Sequence, residues 1–226
     1  MITAHYVKKR LNYNNLIILF FNYNQRTLKT ERKFSKFCAK NLNARFIEIG
    51  LHYLRHLSPS LINTKKKHKK LSLKDLKDTS NESKNWYVPS RNLIFLSNAL
   101  SLAENLFITQ KKKYDLFVGF KNEGSENYPD TTKEFLDSLN KVSKISTEGK
   151  FKIKSPLIKK DKEDVIKLAI KMNIDPKQTF SCYTSEGIHC GTCLACRLRQ
   201  EAFYWANIND PTNYKEKLKD FRLAKQ

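Results

Sequence analysis

Leu16-Ile17-Ile18-Leu19-Phe20-Phe21 decides the fold class, together with the two segments that follow it. A continuous apolar run of this length, bounded by Asn15 and Asn22, is the pattern of a strand covered on both faces in a parallel sheet. Glu31 to Leu42 then places Phe34, Phe37, Cys38 and Leu42 at helical spacing, and Arg45-Phe46-Ile47-Glu48-Ile49 returns to strand chemistry. Strand, helix and strand at this spacing make a βαβ unit, whose crossover is right-handed almost without exception.

The same alternation continues downstream. Leu93, Phe95, Leu96, Leu100, Leu102 and Ala103 predict a helix from Pro89 to about Thr109. Asp115-Leu116-Phe117-Val118-Gly119 is a strand ending in glycine, a form common where a strand end faces a ligand. Thr131 or Thr132 is placed to cap a helix bearing Phe135, Leu136 and Leu139, and Asp161 to cap one bearing Val165, Ile166, Leu168, Ala169 and Ile170. A short strand near Phe151 to Ile153 lies between them, and a last helix follows the cysteines. The stretch from Ser58 to Asn85 is polar, Lys-rich and without period, and reads as a flexible or inserted loop. The expected architecture is α/β: a doubly wound parallel sheet over residues 1–175, with a metal-bound appendage over 176–226.

Composition narrows the classes. The 226 residues are 40% hydrophobic, and no apolar run approaches the ~20 residues of a membrane span. Met1-Ile2-Thr3-Ala4-His5 does not have the form of a signal peptide, so a cytoplasmic protein is expected. The net charge of +21 invites a nucleic-acid reading. However, lysine far outnumbers arginine, and the densest run, Lys65 to Lys70, lies in an aperiodic stretch. It reads as a solvated loop, and nucleic acid is not expected as a direct substrate.

Of five cysteines, Cys38 falls in a helical pattern and reads as a small buried residue. Cys182, Cys190, Cys193 and Cys196 form Cys-x7-Cys-x2-Cys-x2-Cys. Two residues between thiols let both sulfurs turn inward, and four thiolates complete a tetrahedral zinc site. An iron–sulfur cluster also takes four thiolates, so spacing leaves it open. A filled thiolate set implies a structural ion, with His189 a spectator. Gly187 and Gly191 supply the freedom such knuckles need at positive φ.

The wider segment Ser181-Cys182-Tyr183, Cys190-Gly191-Thr192-Cys193-Leu194-Ala195-Cys196, then Arg199, Ala202 and Phe203, closely resembles the zinc motif of the 7-cyano-7-deazaguanine synthases. Val88-Pro89-Ser90-Arg91-Asn92 resembles the family's Val-Pro-Gly-Arg-Asn, and Tyr128-Pro129-Asp130 its Tyr-Pro-Asp turn. Ser155-Pro156-Leu157 with Asp161-Lys162, and Tyr23-Asn24-Gln25-Arg26 with Glu31, resemble two further motifs, in order along the chain. The resemblance implies the ATP-pyrophosphatase type of Rossmann-like fold, with five parallel strands, in a homodimer. It implies that 7-carboxy-7-deazaguanine, ammonia and ATP with Mg2+ react to give 7-cyano-7-deazaguanine for queuosine or archaeosine. Carried over by position, Arg91, Asn92, Asp130 and Lys162 would be catalytic, and Tyr23, Gln25 and Arg26 would face the nucleotide. Plainer roles exist for each: a helix cap for Arg91 and Asn92, a turn for Asp130, a solvated first turn for Lys162.

Two departures stand out. Asn24, Asn43 and Ser90 stand where the family carries glycine. The family's opening strand and Ser-Gly-Gly-x-Asp-Ser loop, which cradles pyrophosphate on backbone N–H groups, has no counterpart in these residues. Thr3 onward resembles the helix after that loop, with Ala4, Val7 and Leu11 on one face, so the expectation is a start lying upstream of Met1. The alternative is a zinc-bound member without catalysis that binds a deazaguanine, a protein or RNA.

Overall fold

In the computed structural model, which describes residues 1–64, 66–121 and 128–221, the βαβ unit forms as expected. β1 spans Ile17–Asn22, α2 Leu28–Asn41 and β2 Arg45–Gly50, preceded by α1 at Ile2–Lys9. β1 and β2 pair in parallel from Ile17 opposite Arg45 to Asn22 opposite Gly50. Then come α3 (Ser80–Trp86), α4 (Arg91–Gln110), β3 (Leu116–Phe117), α5 (Lys133–Ser146), β4 (Ile153–Lys154), α6 (Lys162–Lys171) and α7 (Leu194–Trp205). Thr132 and Asp161 cap α5 and α6, accepting from Phe135 N at 3.1 Å and Asp164 N at 2.8 Å.

The strands do not join into one sheet. Among the described residues they form two separate parallel pairs, β1–β2 and β3–β4. The outer bonds of the first ladder run from Arg45 N to Leu16 O and from Leu51 N to Asn22 O, so even-numbered residues of β1 turn to β2. Ile17, Leu19 and Phe21 therefore turn their peptide groups to the opposite edge. Leu116 N and Val118 N donate to Lys152 O and Lys154 O, which leaves Phe117 facing away from β4 in the same sense. Between the pairs lies a cleft of about 1400 Å³ lined by residues 17–21 and 116–120. It is this edge of β1 that lies open, not a face: Phe20 lies under Arg32 of α2 and Phe21 stacks on Phe95 of α4 at 4.1 Å, although only Phe20 in the strand is buried.

α1 explains how the pairs are oriented. Its start lies at the far end of β3, where Thr3 Oγ1 stands 2.9 Å from the point a Cβ on Gly119 would occupy. Past its end, Tyr13 packs on Phe117 with ring centroids 5.0 Å apart and bonds Asp115 at the near end. The helix thus runs back along β3 and delivers the chain to the start of β1. Val7 and His5 are its buried residues, while Leu11, expected on the apolar face, lies past the helix and is exposed.

One core joins the cysteine segment to the rest: Cys182, Cys190, Cys193, Leu194, Ala195 and Cys196 pack with Tyr23, Leu51, Leu54, Ile62, Leu71, Trp86 and Val88. A second core lies between α4, α5, β3 and β4 around Leu100, Leu116, Leu139 and Phe151. The segment expected as a loop over 58–85 is in part built structure, since it contains most of α3 and buries Ile62, Leu71 and Leu76. These anchors are single side chains at irregular spacing, so no period betrays them. Lys65, the first residue of the Lys-rich run, lies outside the described residues.

Candidate metal centre and binding cleft

The four cysteines converge. Cys193 is the N-cap of α7, Cys196 lies in its first turn, and the Sγ atoms of Cys182, Cys190, Cys193 and Cys196 all lie within 4.8 Å of one another. Cys190 and Cys196 are 3.9 Å apart, close to the ~3.8 Å edge of a tetrahedron with 2.3 Å metal–sulfur bonds. Cys182 Sγ accepts from the amides of Thr184, Ser185 and Cys190, and Cys190 Sγ from those of Thr192 and Cys193, at 3.3–3.4 Å. Amide donors of this kind suit thiolates, so the donor set fits a single ion and leaves little room for a cluster.

Both expected glycines have positive φ, 77° at Gly187 and 84° at Gly191. Gly191 is needed for space as well, because a Cβ there would stand 1.7 Å from Glu216 O. His189 is no ligand among these contacts. Its Nε2 accepts from Ser181 N at 3.2 Å, and its ring lies against Phe180 and Tyr214. Burial, helped by Arg199, holds its pKa down to about 4, which keeps that nitrogen an acceptor.

The residues singled out in the sequence for binding and catalysis divide. Tyr23, Gln25, Arg91, Asn92 and Lys162 line the cleft. Asp130 lines a small adjoining cavity of about 30 Å³ with Trp86, Tyr87, Tyr128 and Tyr183. Arg91 borders both. Its guanidinium lies 5.8 Å from the ring centroid of Tyr23 and 5.7 Å from that of Phe95, with hydrogen bonds to Tyr23 OH and Asn92 Oδ1 each stretched to 3.4 Å. Asn92 and Asp130 hold each other: Asn92 N donates to Asp130 Oδ2 at 3.0 Å and Asn92 Nδ2 to Asp130 O at 3.2 Å. That lock fixes the start of α4 beside the Tyr128–Thr131 turn. Arg26 turns away from the cleft and donates to the carbonyls of Leu61 and Lys66.

Sequence reading missed the walls of the small cavity as a unit. Tyr87 and Tyr128 stack at 5.9 Å, and Trp86 lies 5.1 Å from Tyr183. Tyr128 and Tyr183 sit inside motifs noticed in the sequence, whereas Trp86 and Tyr87 fall between the aperiodic stretch and the Val88 motif and carry no local signal. Thr27 and Glu31 were also missed as a pair; bonded to each other and, through Glu31, to Gln25 Nε2 at 3.0 Å, they form a polar floor at the end of β1.

The family model of queuosine biosynthesis protein QueC matches residues 2–207. The chain belongs to the QueC family. The 7-cyano-7-deazaguanine synthase of Methanosphaera stadtmanae is 35% identical over 208 residues, covering 91% of this chain and 90% of that protein. Those of Nautilia profundicola and Rickettsia bellii are 35% and 36% identical, covering 95% and 86% of this chain and 93% and 84% of theirs. The QueC-family chain is thus an enzyme of 7-cyano-7-deazaguanine synthesis, a carbon–nitrogen ligase. Among its described residues, no helix is long and apolar enough to cross a membrane.

Proposed function

We propose that the cleft converts 7-carboxy-7-deazaguanine and ammonia to 7-cyano-7-deazaguanine at the expense of ATP. The planar heterocycle rests in the cleft against Tyr128 and Tyr183, which Tyr87 and Trp86 back from the small cavity, and the nucleotide lies toward Tyr23 and Gln25, with Arg26 bracing the loop behind them. Arg91 carries this reading. A half-buried guanidinium between an aromatic slot and a large cleft, with protein hydrogen bonds no shorter than 3.4 Å, has donors to offer a carboxylate in fork geometry.

A carboxylate is a poor electrophile until its oxygen becomes part of a leaving group. Attack of that oxygen on the α-phosphorus of ATP expels pyrophosphate and leaves an acyl adenylate. Ammonia adds to the acyl carbon, AMP departs and a proton is lost, giving the amide. A second adenylation, on the amide oxygen, expels a second pyrophosphate, and loss of AMP and of both amide protons then leaves the nitrile. Arg91 and Lys162 offset charge on carboxylate and phosphates alongside Mg2+. Asp130 accepts from the N–H edge of the heterocycle, and Asn92 holds that carboxylate in place. The four thiolates hold one structural zinc, a full set that admits no reactant. A cytoplasmic homodimer acting on a free small molecule, with nucleic acid no direct substrate, accords with the family.

The test uses Trp86 as reporter, with Trp205→Phe removing the other tryptophan. Adding 7-carboxy-7-deazaguanine is expected to quench its fluorescence, and Arg91→Ala to weaken binding at least about tenfold, since a hydrogen bond to a charged group is worth roughly 1.5–3 kcal/mol. Metal content should not change. No quenching, or an affinity untouched by Arg91→Ala, refutes the assignment.

A further inference from the structure

The metal loop carries one acidic side chain that takes no part in the thiolate set. Glu186 lies between Cys182 and Cys190, and its carboxylate accepts from Lys29 N at 3.2 Å, Thr30 N at 2.8 Å and the Thr30 hydroxyl. Gly187 N donates back to Thr30 Oγ1 at 2.8 Å. Thr27, the N-cap of α2, makes no capping bond with its own side chain. The first amides of a helix have no partner within it, and a negative charge there is favoured by the helix dipole. In this protein a residue more than 150 positions away meets that need.

The contact lies in a continuous chain of bonds. Thr184 N and Ser185 N donate to Cys182 Sγ, which fixes the backbone just before Glu186. The turn that Glu186 caps bears Glu31, which accepts from Gln25 Nε2 at 3.0 Å and from the Thr27 hydroxyl. Gln25 in turn accepts from Tyr23 N and donates to Phe21 O, both at 3.1 Å. Tyr23, Gln25, Thr27 and Glu31 all line the cleft.

We propose that Glu186 is a positioning residue: through it the metal-holding loop sets the first turn of α2, and with it the Glu31–Gln25–Tyr23 wall of the cleft. Metal at the four thiolates fixes both ends of the loop and so holds the carboxylate on Lys29 and Thr30. The consequence for catalysis rests on the reading of the cleft given above, but the mechanical link does not.

Amide hydrogen exchange on the full chain tests the link. In the metal-loaded protein, Glu186→Ala is expected to speed exchange at Lys29 and Thr30 about fivefold, the size of a lost N-cap. Metal stoichiometry and exchange at Leu136 and Leu139 of α5 should stay as they are. Glu186→Gln, whose amide oxygen still accepts, should restore most of the protection. Chelation should speed the same two amides in the parent, and markedly less in Glu186→Ala, where the contact is already gone. Unchanged protection in Glu186→Ala, or chelation acting equally on both proteins, overturns the proposal. Failure of the Trp86 titration in the parent would count against the cleft assignment alone, because exchange is read without substrate.

Discussion

Asn24, Asn43 and Ser90 have φ of 58°, 47° and 53°, and these are the three positions where the sequence departs from family glycines. The left-handed need was legible there through the family resemblance, whereas Lys111 and Lys150, at φ of 55° and 45°, carried no such mark. Asn tolerates that region through its short polar side chain, whereas Ser does so poorly. Ser90 is also the N-cap of α4, immediately before Arg91, and it makes no capping bond with its side chain. Ser90→Gly should therefore stabilise the protein by about 0.5–1 kcal/mol, the steric relief exceeding the added entropy of the unfolded chain. The thermal midpoint should rise by about 1–3 °C; a midpoint that holds or falls would show that Ser90 is not strained. The cysteine quartet was equally plain, because most of its ligands are close in sequence. The Asn92–Asp130 lock was not, since nothing in a turn 38 positions away announces which helix start its carboxylate will meet.

Helices were read well from their caps and apolar faces, as Thr132 and Asp161 illustrate. Strand extents were read less well: Asp115 to Gly119 pairs only over Leu116–Phe117. What holds that short strand is partly ionic. Lys154 Nζ lies 2.6 Å from Asp115 Oδ2, and Tyr13 OH donates to the same oxygen. Burial alone would raise the Asp115 pKa, but the hydrogen bonds from Lys154 and Tyr13 outweigh it and hold the carboxyl below its usual value. A depressed carboxylate pKa stabilises the fold above the unfolded value, near 4, and that contribution fades as pH falls through the folded value. Asp115→Asn should consequently lower the denaturation midpoint at pH 7, with the deficit shrinking below about pH 4. A deficit independent of pH would mean the role of Asp115 is not electrostatic.

For the whole molecule, the decisive feature is that the cysteine segment shares a core with side chains from Tyr23 to Val88. Arg197 strengthens the join by donating to Leu71 O at 2.8 Å, as does the pairing of Leu71 N with Thr192 O at 3.0 Å. Stripping the metal would leave four buried thiols without their common partner inside that core. The loss should spread beyond the knuckle, because metal binding and folding are coupled. The expected result is a lower unfolding midpoint and a red-shifted Trp86 emission in a Trp205→Phe background, both reversed by added zinc. Chelation that releases the ion without moving Trp86 emission would show that the two regions are energetically separate.

The sequence by itself determined the α/β class, most of the helices with the caps of α5 and α6, the thiolate set and the family, because each rests on periods or spacings within a few residues. Only the tertiary structure decided that the strands stand as two pairs across a cleft, and that Trp86 and Tyr87, just past the aperiodic stretch, wall a cavity. Parallel pairing and single-anchor burial join residues far apart in the chain, and their partners leave no mark on local pattern. The reach of Glu186 to the start of α2 belongs to the same class: an exposed acid in a loop acquires its meaning only from the amides that folding brings to it.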